Sequence, residues 1–301
     1  MKRDSYDIWA RAQLDAVEAA LDRFVPAQAP AGLGDAMRYG VLDGGKRLRP
    51  LLVLAAAEAT GAADHPGGAE AAMRAACAVE LIHAYSLIHD DMPCMDNDVL
   101  RRGKPTVHVR FGQAQAMLAG DAMQALAFEV LTPLDAEVPP ALQARLVGLL
   151  ARASGQDGMA GGQAIDLASV GSELDEQRLC DMHRRKTGAL LQASVLMGAA
   201  CASTGPGAWQ ALSDYGAALG LAFQVVDDIL DVTQHSTTLG KTANKDTDNN
   251  KPTYVSVLGL DAARRRAQSL QEQAHAALAR SGLANAAWLS LLADKVVERD
   301  S

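Results

Sequence analysis

Apolar residues recur at three- and four-residue spacing along most of the chain, which is the period of a helix with one buried stripe. Ala10, Leu14, Val17, Leu21 and Phe24 form such a stripe and predict a helix over Ala10 to Phe24. Two later stretches, Ala189 to Ala202 and Tyr215 to Val226, are apolar on nearly every face and predict helices enclosed by other helices. Short segments of turn-forming residues interrupt the pattern at Ala59 to Gly68 and at Thr132 to Pro140. Gly205-Pro206-Gly207 is expected to end a further helix. No fixed repeat and no shift in composition divides the chain. The pattern therefore predicts one all-α domain over residues 1–301, a bundle of about ten or more helices.

Composition supports the helical reading. Hydrophobic residues make up 49% and aromatics only 4%, and the hydrophobic share is rich in alanine and leucine, strong helix formers. The four cysteines, Cys77, Cys94, Cys180 and Cys201, have no CxxC spacing and read as reduced thiols of a cytoplasmic protein. The charged first residues lead into no apolar run, so no signal peptide is expected. No uncharged apolar stretch of about 20 residues is evident, so no membrane span is expected. A formal net charge of -8 argues against a nucleic-acid partner, but it leaves room for a local basic pocket.

Dense charge interrupts the apolar pattern at a few points, and buried charge is costly unless paired or bound to metal. The first point is His89-Asp90-Asp91-Met92-Pro93-Cys94-Met95-Asp96-Asn97-Asp98, after an apolar helix over Ala76 to Ile88. Pro93 should end that helix, placing Asp90 and Asp91 at its negative C-terminal pole, with Asp96 folding back from the next turn. The second is Phe223-Gln224-Val225-Val226-Asp227-Asp228-Ile229-Leu230-Asp231, where Asp227 and Asp231 share a helix face. Like charges one turn apart repel, and the apolar neighbours argue against full solvation, so a cation should lie between them. Oxygen ligands without histidine or thiolate suit magnesium, whose shell is usually completed by water and substrate phosphate.

A metal–diphosphate site also needs cations. Gly44-Gly45-Lys46-Arg47-Leu48-Arg49-Pro50 supplies three within four residues, and its glycines, Gly45 among them, let backbone approach an anion. Arg101 and Arg102 follow the first acidic cluster, and His83 lies two helical turns before Asp90. Lys186 and Thr187 lie on a third segment, and Lys241 and Lys251 flank a polar stretch, Thr237 to Asn250, that reads as a mobile lid.

With these segments in view, the sequence resembles the trans-polyprenyl diphosphate synthases. GGKRLRP, HAYSLIHDDMPCMDND, RRGKPTVH, KTGALL, FQVVDDILD and a late LGK…NKPTY run in that family's order from about residue 40 to 255. The likeness is strongest to the bacterial farnesyl diphosphate synthases, which share the two-residue insertion seen in Asp90 to Asp96. The resemblance implies a helical bundle around a deep central cavity and a homodimer. It implies that Asp90 and Asp96 face Asp227 and Asp231 across the cavity mouth and hold about three magnesium ions on an allylic diphosphate. It assigns Arg101, Lys186, Lys241 and Lys251 to that diphosphate, and Lys46, Arg49, His83 and Arg102 to isopentenyl diphosphate. Asn97 departs from the third aspartate of many relatives, while Asp90 and Asp96 remain.

The implied chemistry is ionisation, condensation and elimination, and the resemblance implies that the released diphosphate is the base, which fits a sequence with no clear protein base beside the motifs. The Thr187 hydroxyl, the Gln224 amide oxygen and backbone carbonyls could stabilise the carbocation, in an apolar cavity that excludes water. Tyr85 lies five residues before Asp90, about 7.5 Å along a helix. By helical geometry it sits about 140° from Asp90, so it is the resemblance that makes it a floor stopping growth near fifteen carbons. Geranylgeranyl diphosphate synthase is the nearest alternative product reading. A class I terpene cyclase would not need the second set of cations, a non-catalytic subunit would be expected to lose an aspartate cluster, and a di-metal carboxylate bundle would need Glu-x-x-His pairs on facing helices.

Overall fold

The first stripe forms the helix it predicts and extends it: α1 spans Arg3–Phe24, with Val17 and Leu21 fully buried. α2 (Leu33–Val41), α3 (Leu48–Ala59) and α4 (Gly68–Asp90) follow, with single 3-10 turns at Pro30–Gly32 and Ala62–Asp64. The computed structural model describes residues 3–42, 44–135, 137–171, 174–233 and 252–298. A two-residue antiparallel ladder pairs β1 (Leu100–Arg101) with β2 (Lys104–Pro105), a small exception to the all-α expectation. Its loop residues Arg102 and Gly103 both have positive φ, as a tight hairpin turn requires.

Next come α5 (Val107–Phe111), α6 (Gln113–Leu131), α7 (Pro140–Ser154), α8 (Met159–Ala168) and α9 (Glu176–His183). A π-helical turn over Arg184–Gly188 joins α9 to α10 (Ala189–Ala200). α11 (Pro206–Thr233) precedes α12 (Tyr254–Leu258), α13 (Leu260–Ser281) and α14 (Ala287–Val297). The Gly-Pro-Gly segment opens α11 and does not close α10, which stops earlier, at Ala200. Proline suits a first helical position, where its missing N–H has no partner to lose.

Two apolar cores share one wall. One surrounds α4 and α6, and the other joins α11, α13 and α14. α3 and α10 feed both: Val53 and Met197 into the first, Leu52 and Val195 into the second. α4 is long and apolar enough to cross a membrane by length and composition, although it carries Glu70, Arg74 and Glu80, and 72% of its most apolar stretch is buried inside the molecule. Wrapping by α3, α6, α7 and α10 accounts for its apolar character. Asp90 ends α4, and Asp227, Asp228 and Asp231 stand near the C-terminal end of α11.

Candidate active site

α4 ends at Asp90, Asp91 caps it, and Pro93 follows. The chain then folds back. Asp96 N–H donates to the Asp90 carbonyl at 2.8 Å, and Asp98 N–H donates to the Asp91 carbonyl at 3.0 Å. Asn97 takes a left-handed conformation, φ 51°, which asparagine tolerates better than most residues. Asp91 is buried and receives a fork from Arg101, whose Nε donates to Oδ1 and Oδ2 at 2.9 Å while NH2 reaches Oδ1 at 2.7 Å. The second aspartate of the pair therefore orients the arginine that the family resemblance assigns to the allylic diphosphate. Burial pushes the Asp90 carboxyl up to about 6, opposed by Lys186 and reinforced by Asp96. A carboxylate held this way favours a bound cation.

On α11, Asp227 is half-buried and Asp231 is 2% exposed. Asp228, between them, is used differently. It accepts from the Tyr254 backbone N–H at 2.7 Å and from Gln224 Nε2 at 2.8 Å. Gln224 Oε1 then accepts the Thr187 hydroxyl at 3.0 Å. This chain of bonds fixes the amide of Gln224, so its oxygen faces Thr187.

Thr187 and Lys186 sit in the π turn, a rare geometry that concentrates at functional sites. Glycines admit that turn: a Cβ on Gly220 would lie 2.7 Å from Gly188 Cα, and one on Gly162 would overlap the Lys186 backbone. Lys186 Nζ donates to Asp166 at 2.6 Å, and Asp166 is buried on α8. Beside it His183 is 6% exposed, stacks on Tyr254 with ring centroids 5.4 Å apart, and stands 4.0 Å from Asp228. Burial, then Lys186, lowers its pKa to about 4, opposed by Asp166 and Asp227. Lys186 acts electrostatically on Asp90 and on His183, and His183 also feels Asp227.

The basic residues gather on the other side of Asp91. Gly44 and Gly45 have positive φ, and the Arg102 guanidinium donates to the Gly44 carbonyl. A Cβ on Gly45 would lie 3.0 Å from that guanidinium, so only glycine admits it without displacement. Lys46 is exposed at the same loop. Arg49 is 9% exposed, its Nε has no partner among the described residues, and burial lowers its pKa to about 10. Burial and then Arg49 and Arg102 hold His83 well below the ordinary imidazole range. A buried guanidinium with an unused N–H is costly unless an anion arrives. Arg47, counted with these cations from the sequence, turns instead to carboxylates: Glu18 at 2.7 Å and Glu80 at 2.6 Å.

Tyr85 is buried between α4 and α6. Its hydroxyl accepts from Gln124 Nε2 at 3.3 Å and its ring meets His89 edge-on. A cleft lined by Tyr39, Leu87, Ile88, Asp91, Arg101 and Arg102 opens beside the first acidic row. Lys241, Lys251 and the polar stretch over 237–250 lie outside the described residues. Among the described residues, no three carboxylate, histidine or cysteine side chains converge into a ready metal cage. The donor set instead suits a metal that brings phosphate oxygens with it. Sequence reasoning missed Asp91, Asp166, His183 and Asp228 as supports of the site. Only Asp166, an acid inside the apolar run Met159–Ala168, left a readable signal.

Comparison with known proteins places the chain in a family. A family model described as polyprenyl synthetase matches residues 30–286. A probable farnesyl diphosphate synthase of Sinorhizobium fredii is 49% identical over 282 residues, 92% of this chain and 83% of that protein. The large subunit 1 of a heterodimeric chloroplastic geranylgeranyl pyrophosphate synthase of Arabidopsis thaliana is 47% identical, over 86% of this chain and 70% of that protein. A Helicobacter pylori geranyltransferase, solved in complex with magnesium and isoprenyl diphosphate, superposes with a TM-score of 0.83 at 33% identity, covering 97% of this chain and 96% of that one. With two acidic rows, a cationic pocket and these relatives together, the chain belongs to the polyprenyl synthetase family and is a trans-prenyltransferase.

Proposed function

We propose that this enzyme condenses isopentenyl diphosphate with dimethylallyl or geranyl diphosphate and releases (2E,6E)-farnesyl diphosphate. The observation that carries the reading is the presence of acidic residues at the C-terminal ends of α4 and α11 and, in addition, of fixed cations: Arg49, with a buried Nε that has no partner among the described residues, and Arg102, both of which act on His83. One diphosphate is to be ionised and the other only held, so one site needs metal and the other needs fixed cations. A cyclase ionises a single substrate and has no use for the second pocket.

Asp90, Asp96, Asp227 and Asp231 are the residues that would hold magnesium, about three ions, with the allylic diphosphate. When bound, magnesium stabilises negative charge on the departing diphosphate. Arg101, fixed by Asp91, and Lys186, fixed by Asp166, would add positive charge at the same group without reorganising. Lys241 and Lys251 take the same role by the family resemblance. Gly45, Lys46, Arg49, His83 and Arg102 would bind isopentenyl diphosphate. The Thr187 hydroxyl and the Gln224 amide oxygen, bonded to each other, would supply oxygen lone pairs to developing carbocation charge.

A fifteen-carbon product rests on Tyr85 below Asp90 and on relatives named farnesyl diphosphate synthase. The twenty-carbon alternative has support in relatives named geranylgeranyl pyrophosphate synthase. Incubation with isopentenyl and dimethylallyl diphosphates plus magnesium, followed by sizing of the dephosphorylated alcohols, separates them. Farnesol as the main alcohol is expected, and geranylgeraniol would favour the alternative. We extend the reading to a cytoplasmic homodimer. Val109, Met117 and Leu118 leave apolar side chains exposed on α5 and α6 that a second copy would cover, and sedimentation at equilibrium tests it.

A further inference from the structure

The GGKRLRP loop contains one arginine that does not face the cationic pocket. Arg47 adopts φ 43°, a left-handed conformation unusual for arginine, just before α3 begins. The conformation turns its side chain inward. Nε donates to Glu18 at 2.7 Å, NH1 to Glu80 at 2.6 Å, and NH2 to the Val41 carbonyl at 2.5 Å. The Arg47 and Glu80 side chains are only 2% and 4% exposed, so this is a buried ion pair.

Glu80 has a second cation within reach. Its charge also acts on Arg49, raising a pKa that burial lowers. Glu80 lies three residues before His83 on α4, on the same helix face. A buried carboxylate thus lies one helical turn before His83, paired with Arg47, while Arg49, two residues further along the chain from Arg47, is buried with an Nε that has no partner among the described residues. A buried carboxylate seeks a partner, because leaving it unpaired is strongly unfavourable. With Arg47 absent, Arg49 is the cation on the same segment that is buried and has an N–H without a partner among the described residues. An ion pair between Glu80 and Arg49 would neutralise the guanidinium that the second diphosphate needs.

We infer that Arg47 is a positioning residue that occupies Glu80 and thereby keeps Arg49 open to the second diphosphate. The inference rests on the proposed assignment of Arg49, His83 and Arg102 to isopentenyl diphosphate. It predicts an effect confined to one substrate. Glu18, on α1, completes the clamp and ties the N-terminal helix to this pocket.

The test is steady-state kinetics on the full chain carrying R47M, E80Q or both, with each substrate varied in turn and magnesium saturating. R47M is expected to raise KM for isopentenyl diphosphate about tenfold, with kcat and KM for the allylic substrate within about twofold of wild type. Adding E80Q to R47M removes the competing carboxylate and should return that KM to within about threefold of wild type. A double variant as poor as R47M, or KM values for both substrates rising together, would overturn the inference. If R47M does not fold, E80Q alone decides: an unchanged or lower KM for isopentenyl diphosphate supports competition, and a raised one contradicts it. Failure of the wild-type protein to condense the two substrates at all would instead overturn the functional reading.

Discussion

At the scale of single residues, the site is organised by carboxylates that need not touch metal. Asp91 sets Arg101, Asp166 sets Lys186, and Asp228 sets Gln224 and the backbone at Tyr254. Each bond restrains a long or rotatable side chain before substrate arrives, which lowers the cost of organising the transition state. Asp166→Asn keeps the shape but removes the charge that anchors Lys186. We expect kcat to fall about 100-fold while the thermal midpoint moves by only a few degrees, measured by turnover and by thermal unfolding. Tyr85→Ala removes a buried ring below Asp90. Products longer than fifteen carbons are expected from it, and an unchanged product profile would remove Tyr85 as the chain-length floor.

At the scale of elements, much of the fold was legible because apolar spacing and proline placement act locally. The ends of α3, α6 and α4 fall where Ala59, Thr132 and Pro93 put them. Gly205-Pro206-Gly207 was misread because proline stops one helix and starts another equally well. The π turn was not legible. It depends on Gly162 and Gly220, distant in sequence, which let α8 and α11 approach Arg184–Gly188. Likewise Asp90 and Asp227 could be nominated from their helix ends, while the buried supports Asp91 and Asp228 look like redundant partners in an Asp-Asp pair until the hydrogen bonds are seen.

His183 belongs to this scale because it joins α9, α11 and α12. Its folded pKa, about 4, lies below the unfolded value of 6.5. The unfolded chain therefore binds the extra proton between these values, and stability present above pH 6.5 is lost as pH falls toward 4. The loss amounts to about 3 kcal/mol. His183→Phe keeps a ring against Tyr254 and removes the proton. Its denaturant midpoint should fall less than that of wild type between pH 6.5 and 4, and parallel curves would contradict this origin.

At the scale of the whole molecule, two cores share α3 and α10, so the two acidic rows stand on one continuous scaffold. Among the described residues, no three carboxylate, histidine or cysteine side chains form a metal cage, and the hard oxygen donors present suit a metal that arrives with phosphate oxygens. Metal and diphosphate should therefore bind together. Thermal unfolding should show little stabilisation by magnesium alone or by inorganic diphosphate alone. Both together at about 100 times the dissociation constant should add about 2.7 kcal/mol. Equal stabilisation by magnesium alone would mean a metal site independent of the substrate.

The most direct measurement is a crystal structure with magnesium and a non-ionisable allylic diphosphate analogue. The account predicts carboxylate oxygens of both Asp90 and Asp227 at about 2.1 Å from magnesium ions that share that one diphosphate. A diphosphate bound at only one of the two rows, with the other turned to a separate surface, would contradict it.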